Sequence, residues 1–169
     1  MITNEFIINP EYDGISHINI YSKGKTELGK MLTNFSKFPI HTQDGDFMSV
    51  EGYWYWMSIE ECEEREQLRK CYGFWAKKTG KEILETKAKR FDNDFEHKIL
   101  KAIWYKFRRN SGLILQEYDN LPFEHYYNYG GKVVNVKDKY PFMIEGITKM
   151  RDYLVESKML IENSKKKKN

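Results

Sequence analysis

Helices mixed with short strands, without a regular βαβ alternation, predict an α+β fold: a single compact, mostly helical domain around a small sheet. Three observations point there. Phe95, Ile99, Ile103 and Phe107 recur every four residues, the stripe of an amphipathic helix. A second stripe, Met143, Ile147, Met150 and Leu154, follows Pro141, a residue suited to a helix start. The β signals are short and scattered, as at residues 17–21 (HINIY).

Along the chain, the isoleucine-rich alternation of residues 17–21 predicts a strand. Residues 38–40 and 47–48 flank Asp44-Gly45, a hairpin-type turn dipeptide. Ser49 is suited to an N-cap, which places Glu51 in the first helical turn. Ser58 and Glu61 form an S-x-x-E capping box. A helix is expected to run on from it to about Lys78 and to end at Gly80, with Lys77 and Lys78 suited to its carbonyl end. Residues 81–92 read as a mobile connection. Asn93 with Glu96 suggests the next cap, and the helix it opens should end near Asn110-Ser111-Gly112. A short helix over 113–118, an extended segment over 121–126, a turn at Gly130-Gly131 and a strand over 132–136 follow. Order is expected to fade after Ser157. The organisation is therefore one domain over residues 1–157 and a basic, disordered tail over 158–169.

Composition narrows the function classes. The chain has 169 residues, enough for one well-buried core. Aromatic residues make up 15%, and such rings serve equally for packing and for stacking on flat ligands. No run approaches the roughly 18 apolar residues that cross a bilayer. Residues 1–10 lack the pattern of a signal peptide, so a cytoplasmic protein is expected, with Cys62 and Cys71 as reduced thiols. His17, His41, His97 and His125 form no zinc-binding pattern, and no dinucleotide fingerprint, phosphate loop or nucleophile elbow occurs. Neither metal nor cofactor is expected. The net charge is +3, but the four lysines at 165–168 more than account for it and leave residues 1–164 at −1. The basic part is thus a tail, and a solvated face explains it more simply than nucleic-acid attraction does.

The richest segment is residues 33–57. Thr33-Asn34-Phe35-Ser36-Lys37-Phe38-Pro39-Ile40 follows the first strand, and Ser49-Val50-Glu51-Gly52-Tyr53-Trp54 follows the hairpin. This series resembles the NADAR superfamily of YbiA-like proteins. Its members show a strand, an S/T-N-F-x-x-x-P-[FI] segment, a short hairpin and a helix opening with S-[VS]-E-H-Y-[FW]. The later half is also similar. Ile103-Trp104-Tyr105-Lys106-Phe107 fits the family's long helix, Leu121 to His125 before Tyr129-Gly130-Gly131 fits its L-x-E segment, and Gly146 to Leu154, with Arg151, fits its last helix. The resemblance spans roughly residues 16–156. The chain departs from it at Gly52, where histidine is usual, and at Asn93, where the family's R-x-D-W-E segment carries tryptophan. It also departs before Gly130-Gly131, where Asn128 or Tyr129 stands near the expected acid.

The resemblance implies a ribose-phosphate or ADP-ribose ligand and a metal-independent N-glycosidase. Substrates of that kind include an ADP-ribosyl-guanine adduct in nucleic acid or a ribosylaminopyrimidine phosphate of riboflavin metabolism. Cleaving a C1′–N bond builds positive charge on the sugar, which a nearby carboxylate stabilises. Glu51 is the first candidate for that carboxylate and Glu124 the second. By themselves, the same residues are a first-turn acid favoured by the helix dipole and a surface strand residue. Asn34, Phe35 and Ser36 are candidates for holding ribose or phosphate, Tyr53 and Trp54 for walling a base, and Arg90 and Asn128 for further ligand contacts. Lys78 and Lys89 are suited to phosphates or are solvated charges. Trp75 and Trp104 read as core, and Arg151 as a brace paired with an acid. An alternative to catalysis is a module that binds ADP-ribose or a related nucleotide without cleaving it.

Overall fold

The computed structural model describes residues 8–117 and 120–166. In chain order these form β1 (Ile18–Asn19), α1 (Glu27–Leu32), β2 (Ile40–Thr42), β3 (Gly45–Phe47), α2 (Val50–Ser58), α3 (Gly73–Leu84), α4 (Phe95–Arg109), α5 (Ser111–Glu117), β4 (Phe123–Glu124), β5 (Tyr126–Tyr129), β6 (Lys132–Asn135) and α6 (Pro141–Lys166). Short 3-10 turns occupy Pro10–Tyr12, Glu64–Lys70 and Lys137–Lys139.

Among the described residues, the strands make three separate two-stranded pairs rather than one small sheet. β1 lies parallel to β4, with Ile18 opposite Phe123, and both side chains are buried. β2 and β3 form the expected hairpin about Asp44-Gly45, where Gly45 takes a positive φ of 104°. β5 and β6 close through Gly130-Gly131, both at positive φ, the conformation a tight two-residue hairpin demands. The α4 stripe is buried as predicted at Ile99, Ile103 and Phe107, and one apolar cluster extends from Ile18 to Ile147. An α1 helix was not anticipated, although Thr26 accepts the Gly29 N–H at 2.9 Å and Leu28 and Leu32 are buried one turn apart.

Several expectations are corrected. The capping box at Ser58 does not form: its hydroxyl turns back to donate to the Trp54 carbonyl at 2.7 Å, and α2 stops there. Ile59 then goes extended and bridges Lys89. Residues 81–92 are accordingly not a loose connection. Residues 81–84 complete α3, and the Glu60 and Arg90 N–H groups donate to Ala88 and Ser58 at 3.0 and 2.9 Å. Gly80 lies inside α3 instead of ending it, because the Tyr55 ring covers the place where a Cβ would stand. The N-cap of α4 is Asp94, not Asn93, and the Asp92 carboxylate accepts its N–H at 2.9 Å. Lys98 holds that carboxylate from the other side at 2.8 Å. Trp75 is 52% exposed, whereas Trp104 packs on Phe107 and Tyr153. Arg151 braces α6 chiefly without an acid: its guanidinium lies 4.7 Å from the Phe123 ring centre and donates to the Leu121 carbonyl. Helix α6 continues past Ser157 to Lys166, since lysine is a good helix former and suits the carbonyl end. Of the short helix expected over 113–118, Tyr118 lies outside the described residues, as do 167–169 of the tail.

Candidate functional site

The loop over residues 33–36 joins three helices through its carbonyls. Lys106 of α4 is fully buried and donates to the Thr33 carbonyl at 2.7 Å and to the Ser36 hydroxyl. The Asn34 carbonyl accepts the Glu51 N–H of α2 at 3.0 Å, and the Phe35 carbonyl accepts the Gly73 N–H of α3 at 2.9 Å. Ser49 fixes the start of α2 from both sides. Its hydroxyl oxygen accepts the Gly52 N–H at 3.0 Å, and its proton goes to the Cys71 carbonyl at 2.9 Å. Glu51 is therefore held on a capped helix start, as the sequence indicates.

Desolvation pushes the Glu51 carboxyl up to about 7, against the opposing pull of the Lys77 ammonium. A carboxyl balanced near neutrality can take up or release a proton in water at ordinary pH. Trp54 and Tyr55, three and four residues on, lie on the same side of α2 as Glu51. Burial, with the Glu51 charge beside it, pushes the Tyr55 phenol up to about 12, so it keeps its proton and remains a donor. Trp54 is fixed edge-on between Phe95 and Tyr140, with ring centres at 4.7 and 5.0 Å. Lys77 reaches over the Phe35 ring at 5.9 Å. The buried Asn34 Oδ1 has no hydrogen-bond partner among the described residues. A buried acceptor of this kind is uncommon and suits a ligand hydroxyl.

Other candidates stand elsewhere. Tyr53 is two residues from Glu51 and points about the opposite way from the helix axis. It is buried against Phe47 and donates to Asp44 Oδ2 at 2.6 Å. A recess of about 370 Å³ opens on that side, lined by His41, Thr42, Gln43, Tyr53, Lys98 and Lys101. Its buried charge is already balanced, because Lys98 pairs with Asp92 at 2.8 Å and Asp44 at 3.8 Å. The reactive carboxyl is therefore sought at Glu51 and not in this recess. Ser36 spends its hydroxyl on Lys106 and the Met31 carbonyl. Arg90 sits by Ser58, at the far end of α2 from Glu51, roughly 10 Å along the helix. Glu124 pairs with Lys137 at 3.1 Å, and Asn128 is exposed on β5 opposite Val133. Among the described residues no cluster of three or more His, Cys, Asp or Glu is placed to hold a metal, and no helix is long and apolar enough to cross a membrane.

Gly52, the departure from the family pattern, has a steric reason. A Cβ there would stand 2.5 Å from the Leu68 carbonyl oxygen and 3.1 Å from that of Cys71. The 3-10 segment Glu64–Lys70 occupies the space that a histidine side chain would need.

Lys106, Tyr55 and Lys77 were missed as contributors. Lys106 carries a usable signal, a lysine inside the 99–103–107 apolar stripe. Burial pulls its ammonium down to about 7. The folded protein thus sheds this proton over pH 7–10.5, where the unfolded chain keeps it, so stability rises with pH through that window. Lys106→Met should flatten the rise; urea titrations on either side of the window check this, and an unchanged slope would count against the burial.

No protein-family model matches the sequence, and no curated protein sequence does. The NMR structure of the E. coli protein YbiA does match this chain in shape, with a TM-score of 0.61 at 18% identity, covering 90% of this chain and 96% of that one. The chain thus has a YbiA-like α+β fold, the fold that the NADAR resemblance implied.

Proposed function

We propose that the protein is a metal-independent N-glycosidase acting on the C1′–N bond of a ribose-phosphate or ADP-ribosyl compound. The observation that carries this reading is the Glu51 carboxyl, raised to about 7 on a rigid, capped helix start. As C1′–N cleaves, its electron pair leaves with nitrogen and positive charge develops on the sugar. The Glu51 carboxylate stabilises that charge and takes a proton from the water that bonds to C1′. The leaving nitrogen gains a proton, for which the Tyr55 phenol is a nearby donor. Asn34 Oδ1 accepts from a ribose hydroxyl, Lys77 meets a phosphate, and Phe35 and Trp54 border the base. The ligand is a small ribose phosphate or an ADP-ribosyl group on a larger molecule, and the setting is the cytoplasm.

The test incubates the protein with ADP-ribosylated guanine DNA and, separately, with the ribosylaminopyrimidine phosphate, and follows sugar release by mass spectrometry. Release from either substrate, rising as pH passes through about 7, is expected. A rate that falls through that range would make Glu51 the proton donor instead. Binding of ADP-ribose with no release from either substrate would replace the enzyme by the non-catalytic binding module.

A further inference from the structure

The exposed face at the start of α3 combines aromatic rings with a local run of basic side chains. Phe74 is 70% exposed, Trp75 52% and Tyr72 38%. These large rings are left in water where the neighbouring Ala76, Thr79, Gly80 and Ile83 turn inward to the core. Tyr72 and Trp75 meet edge-on with centres 6.3 Å apart, and Lys37 sits 5.0 Å over the Tyr72 ring. The segment 69–81 has five basic residues and no acidic one, within a body (residues 1–164) of net charge −1; of the five, Arg69 pairs with Glu66 at 2.6 Å and Lys78 with Glu82 at 3.8 Å. The basic island is therefore local. It also adjoins the candidate site, because Lys77 lies both over Phe35 and within electrostatic reach of Glu51.

We propose that this face is a platform for single-stranded nucleic acid, with bases stacking on Phe74 and Trp75 and phosphates meeting Lys37, Lys70 and Lys78. The chemistry is matched on both counts. Exposed rings offer flat faces to unpaired bases of any sequence, and lysines track the backbone charge. A duplex hides its base faces and satisfies only the charge. An acidic protein surface would satisfy the lysines but leave the flat rings without a planar partner. The platform stands independently of the glycosidase reading; if both hold, the substrate of the Glu51 site is a modified base in a strand lying across α3.

The experiment is fluorescence anisotropy with labelled DNA and RNA single strands of roughly 12 nucleotides, within the span that one small domain covers. The same sequence as a duplex is the third probe. Wild-type protein should bind a single strand more tightly than the duplex, and lose affinity between about 50 and 200 mM salt. Phe74→Ala with Trp75→Ala should weaken single-strand binding by at least about tenfold. Both side chains are exposed, and circular dichroism checks that the variant folds. Lys78→Glu, remote from the core, should weaken all probes. Glu51→Gln should bind unmodified strands like the wild type, which separates this proposal from the catalytic one. No single-strand binding at low salt, equal affinity for duplex, or binding indifferent to the Phe74 and Trp75 change would each overturn the platform and leave the glycosidase test untouched.

Discussion

Glu51→Gln is expected to cut turnover by about 10²–10⁴ and, above pH 7, to make the protein more stable by about 3 kcal/mol. Both effects come from one charge. In the fold this carboxyl is raised from 4.5 to about 7 because burial disfavours the anion. Below the unfolded value of 4.5 both states hold the proton and the group is neutral in each. As pH rises from there to about 7, the unfolded chain ionises first and folding loses stability. Above that window the loss is complete, at ~1.4 kcal/mol for each unit of displacement. Glutamine fills a similar volume and carries no charge, so it removes the loss. It also cannot accept the water proton, which removes on the order of 10²–10⁴ in rate. Denaturant titrations on both sides of the window, with product release measured on the same preparations, check the pair of effects. A variant that keeps full turnover would exclude Glu51 as the essential carboxylate. One whose stability matches the wild type at high pH would show that the group is well solvated.

Gly52→His, which restores the residue usual at this place in the family pattern, is expected to destabilise the protein by about 3 kcal/mol or more. The added Cβ meets backbone, not a flexible side chain: it would stand 2.5 Å from the Leu68 oxygen. That carbonyl belongs to a segment pinned by the Ser49 hydroxyl at the Cys71 carbonyl and by the Arg69 carbonyl accepting the Met48 N–H at 2.9 Å. Overpacking against such a restrained neighbour falls at the upper end of the usual cost. For a chain of this size the melting temperature should drop by roughly 6–12 °C. Gly52→Ala should already show part of the loss, because the clash begins at Cβ. Melting within a degree or so of the wild type would mean that the Glu64–Lys70 segment moves aside readily.

What could be read along the chain was local. The 95–99–103–107 stripe, the Asp44-Gly45 hairpin, the Ser49 cap and the Gly130-Gly131 turn each depend on neighbours within one or two turns of backbone. The errors fell where a distant partner wins. Ser58 and Glu61 form a plausible capping box until Ile59 finds Lys89, which is thirty residues away along the chain. Gly80 resembles a helix end until the Tyr55 ring packs over it. Trp75 reads as core on hydrophobicity alone, because a sequence does not show which helix face meets water.

The candidate site divides the same way. The sequence by itself determined that Glu51 stands in the first turn of a capped helix, since Ser49 and the following aromatic run are enough to start it. Only the tertiary structure decided that the carboxyl is desolvated, with Lys77 and Tyr55 beside it, and that Lys106 holds the loop beneath it. It also decided that Tyr53 faces a different recess from Glu51. The physical reason is the range of the forces. Capping and turn formation act between adjacent peptides, whereas desolvation and charge depend on everything packed nearby, which the chain brings together from segments 33–36, 51–55, 77 and 106.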